Sequence, residues 1–230
     1  MLSSASQTIQ QINEFGFGWV RAAGSADLIA ETLQTLTSYG DYGSPQVVED
    51  LPLKAPGFTA TRCARLLQGL ADQLLGTGSR LVTGLYFDKA WTAQPVGPHQ
   101  DLFVPVNGRI DDPAFLRWSA RGGYHYVSPP DWVLRESLVL RLHLDPCPGG
   151  MGEVSVWPST HQQRWSKAQV DQLYLQPRTA CSAEAGDVLA MSPLLLHCSE
   201  PATREGQRRV VHLVYSRAEL PPGLAWMTPA

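Results

Sequence analysis

His99 and Asp101 stand two residues apart in Pro98-His99-Gln100-Asp101, and a second histidine, His197, closes the apolar run Val188–Leu196 far downstream. On an extended strand, residues two apart point to the same side, so an imidazole and a carboxylate can converge on one point. Two imidazoles and one carboxylate on one face of an ion form the facial triad of non-haem Fe(II) oxygenases, which leaves the opposite positions open. Three such ligands without a thiolate also suit catalytic zinc, which likewise keeps an open position. The spacing alone does not choose between the metals, and a lone His-x-Asp is a weak signal.

Arg208 makes the choice. It follows His197 by eleven residues, at the start of a strand. A 2-oxo diacid that chelates iron carries a second carboxylate several ångströms from the metal. The partner that matches it is a guanidinium, always charged and forked. Arg209 points the other way on an extended strand. Ser199, two after His197, shares that residue's face and can donate to the same carboxylate. Cys198 points to the opposite face and reads as a small buried hydrophobe.

The elements that must position these residues are strands. Ser4–Phe15, Ala26–Tyr39 and Thr61–Leu75 carry apolar residues at helical spacing and brace the outside of a sheet, with Ser4 or Ser6 as the first N-cap. Gly40–Thr59 reads as loop. From Arg80 the pattern turns to short extended segments: Leu81–Phe87, Leu102–Val106, Leu138–Asp145, Glu153–Trp157, Ala180–Ala185, Asp187–Met191, Leu194–Ser199 and Arg208–Ser216. In Leu138–Asp145 four leucines alternate with Val139, Arg141, His143 and Asp145. That alternation predicts a core behind the strand and a wet cavity in front of it. Arg141 and His143 are therefore candidate contacts for cosubstrate or substrate.

Asn107–Pro130 is long, mixes Phe115, Trp118, Tyr124 and Tyr126 with Arg117, Arg121 and His125, and reads as an irregular segment, either an active-site lid or a surface excursion packed by its own aromatics. Trp118 is its candidate substrate contact, and an acidic or amphipathic small molecule suits its side chains. His212 shares the face of Arg208 and reads as a hydrogen-bonded core residue; His161, in a turn, reads as structural. Gln100 is expected to fix the geometry around the ligands by hydrogen bonds.

The 230 residues suffice for one domain, 1–230, with a helical support over 1–79 and a β core over 80–226. Twenty glycines and eighteen prolines fit many strands joined by turns. The fold class expected is mostly β with flanking helices, around a double-stranded β-helix (jelly-roll, cupin-like) core. A net charge of −3 gives no electrostatic reason to expect nucleic acid as a partner. No apolar run approaches a membrane span. The four cysteines form no Cys-x-x-Cys, and the start lacks a signal peptide's pattern, so a reduced cytoplasm is expected. Oligomeric state is not legible.

From about Leu85 to Trp226 the chain resembles the phytanoyl-CoA dioxygenase family of Fe(II)- and 2-oxoglutarate-dependent oxygenases, in particular its short bacterial members. The resemblance rests on Phe87-Asp88-Lys89, Pro98-His99-Gln100-Asp101, Leu140–Asp145, Val156–His161, Ala185–Leu189, Pro193–Ser199 and Arg208–Leu213. Two positions depart from the family: Met151 precedes Gly152 where Asn is usual, and Ala202 replaces an Asn between the distal His and the Arg. The resemblance implies a jelly-roll core, iron on His99, Asp101 and His197, and 2-oxoglutarate held by Arg208 with Ser199. It further implies consumption of O2, release of succinate and CO2, and oxidation of an unactivated C–H bond. Halogenating relatives carry a small residue where Asp101 stands, so the carboxylate argues for hydroxylation or a related oxidation, and the little room for a CoA site points to a small metabolite or natural-product intermediate as substrate. Desaturation, cyclisation and epimerisation are alternative outcomes of the same chemistry. A non-catalytic jelly-roll binding protein is the alternative from another class.

Overall fold

The alternation along Ser137–His143 sets the architecture, because each face of that strand packs against a different layer. The computed structural model describes residues 5–39, 46–90, 94–121 and 123–227. In chain order the strands are β1 (Phe17–Val20), β2 (Gln46–Glu49), β3 (Arg80–Ala90), β4 (Val96–His99), β5 (Val104–Asn107), β6 (Leu116–Arg121), β7 (Tyr124–Ser128), β8 (Ser137–His143), β9 (Val154–Val156), β10 (Thr179–Cys181), β11 (Val188–Met191), β12 (His197–Ser199), β13 (Gln207–Ser216) and β14 (Ala225–Trp226). The helices are α1 (Ala5–Phe15), α2 (Ala26–Thr37), α3 (Leu51–Lys54), α4 (Arg62–Leu74), α5 (Asp131–Arg135) and α6 (Lys167–Leu173).

Six strands form the major sheet in the order β1-β11-β8-β13-β3-β2, and four form the minor sheet in the order β10-β9-β12-β4. All their pairings are antiparallel. The protein is thus mostly β with a double-stranded β-helix core and few flanking helices. On the outer face of the major sheet, Leu138, Leu140, Leu142, Leu144, Val211, Leu213 and Tyr215 pack with Leu36, Leu67 and Leu70 of α2 and α4. Each buried leucine there contributes about 1.5–3 kcal/mol by leaving water. Side chains of α4 reach that core because its apolar positions recur at helical spacing, and Thr61 caps its N-terminus by accepting from the Ala64 N–H.

The inner face carries the polar residues. Directly paired positions place Glu49, Leu85, His212, Arg141, Leu189 and Trp19 in one row across all six strands. Paired residues in an antiparallel sheet point to the same side, so this row faces the minor sheet. Arg208 opposite Lys89 lies on the same face two pairs on, beyond Val210 and Phe87. Two of the six strands, β1 and β2, precede Ser79 in the chain. Gly186 lets β1 dock: its φ is 90°, and a Cβ there would sit 2.2 Å from the Gly24 carbonyl oxygen. Asp187 then accepts from Arg21 and from the Ala22 N–H.

Two expectations are corrected. Gly40–Thr59 is not all loop: among its described residues lie β2, α3 and a short 3-10 turn, Pro56–Ala60. Pairing of Val47 and Val48 with Phe87 and Tyr86 outweighs the local Gly and Pro content. Asn107–Pro130 is not irregular. Its alternating aromatics make β6 and β7, which join β5 and β14 in a third sheet of order β14-β5-β7-β6. At the N-terminus Ser4 lies outside the described residues, and Ser6 falls within α1.

Candidate metal centre

The two histidines meet because their strands pair. His197 on β12 is the direct partner of His99 on β4, and the ring centroids lie 4.2 Å apart. Asp101 follows after the strand ends, held by its backbone N–H to the Pro193 carbonyl at 2.8 Å. Gln100 points away from the site and ties both ligand segments together. Its amide donates to the Leu194 and Gln163 carbonyls and accepts from the Trp165 N–H. The geometric role expected for Gln100 is what its hydrogen bonds provide.

One ligand atom each from His99, Asp101 and His197 lie within 4.8 Å of one another. His99 Nε2 is 3.7 Å from one Asp101 oxygen, and His197 Nε2 is 3.9 Å from the other. The opposite ring nitrogens are committed elsewhere. His99 Nδ1 meets the Gly97 carbonyl at 2.8 Å and His197 Nδ1 meets the Leu195 carbonyl at 3.0 Å. A carbonyl only accepts, so both protons sit on Nδ1 and both Nε2 lone pairs face the triad. Burial, followed by the opposing pull of Asp101, leaves the His197 pKa lowered to about 4, which keeps the imidazole neutral and able to ligate. Burial raises the Asp101 pKa, but His197, His212 and His99 more than offset it, so the carboxylate is held well below its usual range.

His212 adds an orienting group that the triad pattern did not reveal. Arg141 donates to its Nδ1 at 3.3 Å. A guanidinium has no lone pair to offer, so the His212 proton resides on Nε2, 3.6 Å from Asp101 Oδ2. The ring therefore turns its N–H toward Asp101 Oδ2, which has no hydrogen-bond partner at this distance, and offers no lone pair as a fourth ligand. This agrees with its reading as a hydrogen-bonded residue.

A cleft beside the triad is lined by Arg208, Lys89, Arg141, Ser199 and Phe87. Arg208 is 6% exposed, and its Nε and Nη1 have no partner. No carboxylate forms an ion pair with Arg208, Arg141 or Lys89 among the described residues. Burial, then Arg208 and Arg141, push the Lys89 pKa down to about 8. Uncompensated buried cations next to a three-ligand site fit a dianionic chelator. Arg209 does face the other way, in a bidentate pair with Asp145. Ser199 lines the cleft, and its Oγ accepts from the Val96 N–H at 2.8 Å.

The remaining candidates fall at different distances from this centre. Arg141 lines the cleft beside the triad. His143 is fully buried; neither ring nitrogen has a partner, and burial with Arg141 and Arg208 lowers its pKa to about 3. Trp118 lines a separate cavity with Phe115 and Arg109 that shares no residue with the triad. A cavity of about 410 Å³ lined by Ile12, Leu74, Arg135 and Arg217 also lies apart from it. Cys198 packs with Trp157 and Leu196, and burial pushes its thiol up to about 12. His161, in its 3-10 turn, is buried with Nε2 2.9 Å from the Gln162 side-chain amide. The two departures from the family pattern, Met151 and Ala202, pair with each other in an isolated bridge.

Lys89, Asp50 and Tyr126 were not picked out by the sequence as site residues. Lys89 had a usable signal, since it shares strand parity with Leu85 and Phe87, but the pairing of β3 with β13 had to be known first.

Fold and site together define a double-stranded β-helix protein with a His-Asp-His facial centre. No family model and no curated protein matches the chain. Solved structures do. The non-heme alpha ketoglutarate dependent carbocyclase SnoK from nogalamycin biosynthesis is 18% identical with a TM-score of 0.69, covering 94% of this chain and 87% of its own. The epimerase SnoN of the same biosynthesis is 17% identical with a TM-score of 0.67, covering 99% and 95%. EvdO2 from Micromonospora carbonacea var. aurantiaca, complexed with 2-oxoglutarate, is 14% identical with a TM-score of 0.64, covering 96% of each chain. At such identities the likeness establishes the fold. No helix among the described residues is long and apolar enough to cross a membrane.

Proposed function

We propose that the protein is an Fe(II)- and 2-oxoglutarate-dependent oxygenase, a short member of the phytanoyl-CoA dioxygenase family that works as one domain in the cytoplasm. It hydroxylates an unactivated C–H bond of a small metabolite or natural-product intermediate. One 2-oxoglutarate and one O2 are consumed, and succinate, CO2 and the alcohol are released. The observation that carries this reading is Arg208, a buried guanidinium with two unpartnered nitrogens lining the cleft beside three convergent metal ligands.

His99 and His197 would hold iron through Nε2 and Asp101 through its carboxylate. Bound iron supplies the activation of dioxygen that couples cosubstrate decarboxylation to C–H oxidation. The chain's own residues bind and orient. Arg208 takes the distal carboxylate of 2-oxoglutarate in a fork, and the Ser199 hydroxyl donates beside it. Arg141 fixes His212, which turns Asp101. The inner faces of the two sheets bury His197, Arg208 and His212, while His99 and Asp101 stay partly exposed on the side from which a substrate would enter. Four buried free cysteines support the reducing compartment.

A second outcome, cyclisation or epimerisation, is favoured by the folds of SnoK and SnoN, whose chemistries bear those names. It uses the same site with a differently placed substrate carbon. A non-catalytic metal binder would have no use for an unpaired buried guanidinium beside the triad.

The test is anaerobic addition of Fe(II) and then 2-oxoglutarate. The expected result is a weak visible metal-to-ligand charge-transfer band, absent in Arg208→Ala. Wild-type protein that binds iron but gives no band with 2-oxoglutarate would sink the proposal. Succinate release across a metabolite panel, with Arg208→Ala as blank, then identifies the substrate.

A further inference from the structure

A second cavity, of about 250 Å³, meets the triad from the side away from Arg208. It shares Leu85, His99, Asp101 and His212 with the cosubstrate cleft, so a molecule lodged there lies against the metal ligands. The volume falls below the roughly 300–1,000 Å³ common for drug-sized ligands. A CoA thioester would leave most of itself outside.

The charge of this lobe is opposite to that of the cleft. Asp50 is 7% exposed and lines it. Its carboxylate accepts from the Tyr126 hydroxyl and, at 3.5 Å, from the Thr83 hydroxyl, both neutral donors. No cation pairs with Asp50 among the described residues. Burial and the neighbouring Asp50 push the Tyr126 phenol up to about 12, so it stays a donor. Arg121 is the one Lys or Arg among the lining residues. It is already engaged by Glu49 at 3.5 Å, and its guanidinium lies over the Tyr126 ring at 4.2 Å.

Arg117 and His125, which with Arg121 suggested an acidic ligand, do not line the cavity. Besides the metal-ligand candidate Asp101, the lobe has two carboxylates and one guanidinium; the exposed Glu49 and Arg121 pair with each other, which leaves the buried Asp50 without a cation. A buried carboxylate without a cation is costly, and a ligand that supplies the cation recovers that cost. Leu102, Phe103 and Pro105 form apolar walls for a hydrocarbon skeleton.

We propose that this lobe takes a small substrate carrying one protonated amine, which is held against Asp50 while an apolar C–H region faces His99 and Asp101. The inference names the substrate class for the oxygenase site proposed above and rests on that reading.

The test uses the full-length, metal-free protein with three probes of one skeleton, followed by ligand-observed NMR. They are trans-4-aminocyclohexanol, its N-acetyl derivative and trans-4-hydroxycyclohexanecarboxylate. The amine is expected to bind about tenfold or more tightly than the other two, the scale of one charge-assisted hydrogen bond. Asp50→Asn removes that preference. Asn tolerates the left-handed backbone at this position, φ 53°, so the variant keeps the turn. Arg121→Gln, on the exposed rim, frees Glu49 and tightens amine binding severalfold. Amine binding no tighter than that of the carboxylate overturns the proposal. So does an amine preference that survives Asp50→Asn, which would assign it to Asp101. If Asp50→Asn does not fold, Arg121→Gln decides, and no tightening overturns the proposal. The iron–2-oxoglutarate band, measured separately on the same preparation, reports on the oxygenase reading alone.

Discussion

Arg208→Met separates two effects that pull in opposite directions. In the ligand-free protein Arg208 is buried and unpaired. Burial lowers the pKa of Arg141 and of Lys89, and the charge of Arg208 close by lowers both further. Methionine fills similar space without the charge, so the free variant should melt no lower than wild type, and higher if relaxation is good. Binding of 2-oxoglutarate should suffer heavily. Two charge-assisted bonds from a guanidinium fork contribute on the order of 1.5–3 kcal/mol each, so even the lower figure for the pair, about 3 kcal/mol, weakens Kd by roughly 100-fold. At a concentration about 100 times the wild-type Kd, 2-oxoglutarate stabilises wild type by about 2.7 kcal/mol, and a variant weakened roughly 100-fold by only about 0.4 kcal/mol. The assay is thermal unfolding with Mn(II), with and without 2-oxoglutarate, backed by calorimetric titration. Arg208→Lys keeps a charge but loses the fork and should fall between the two. A methionine variant that binds 2-oxoglutarate within a few-fold of wild type would show that Arg208 is not the cosubstrate anchor.

Three further outcomes follow from the same geometry. His212→Leu should weaken Fe(II) binding about tenfold or more, while His212→Gln, whose amide can donate to Asp101 as Nε2–H does, should recover part of it; equal losses in calorimetric titration would reduce His212 to packing. Lys89 titrates at about 8 in the folded protein against 10.5 for an ordinary lysine, so between these values the unfolded chain holds more protons and stability rises with pH. Lys89→Met should flatten that rise in denaturant midpoints measured across the window. His143 is buried with both nitrogens unpartnered, so His143→Leu should stabilise by about 1–3 kcal/mol near neutral pH. It should also blunt the acid limb, because wild type loses stability as pH falls from 6.5 toward about 3, where the unfolded imidazole is protonated first. Chemical denaturation at several pH values checks both statements.

The parts of this molecule that were legible in its sequence are those where strand parity does the work. Ser199 two beyond His197 and the leucine alternation of β8 follow from a period of two, whereas Asp101 lies past the end of β4 and reaches His99 through its backbone bond to Pro193. The length and spacing of α2 and α4 were equally plain, because a stripe of leucines at helical spacing has one good solution. What resisted reading depends on which strands pair. Lys89 becomes a site residue only when β3 lies against β13, and Asp50 only when β2 adds itself to the edge of β3. Val47 and Val48 sit among residues of loop character, so their strand is made by the sheet that receives it. The third sheet was hidden for a similar reason. Its aromatics mark strands, but a shift of register between Leu116 and Ser119, with Arg117 at φ 53°, interrupts the alternation that would have shown it.

One row of paired residues joins the two halves of the site. Glu49, Leu85, His212 and Arg141 stand side by side on β2, β3, β13 and β8, so the acidic lobe and the basic cleft are two ends of a single sheet rung. Leu85 and His212 line both, and His212 is the polar one: Arg141 approaches its Nδ1 from one end, and its Nε2 faces Asp101 at the other. Charge at the basic end therefore reaches the metal carboxylate through one fixed imidazole. Filling that end with a dianion relieves the repulsion among Arg208, Arg141 and Lys89 without withdrawing Arg141 from His212, since the Arg141 Nε is free for the ligand. On the proposed reading, any coupling between metal and 2-oxoglutarate along this rung is reciprocal, so prior Mn(II) should change the Kd for 2-oxoglutarate by the factor by which 2-oxoglutarate changes the Kd for Mn(II), and calorimetric titration in both orders checks it.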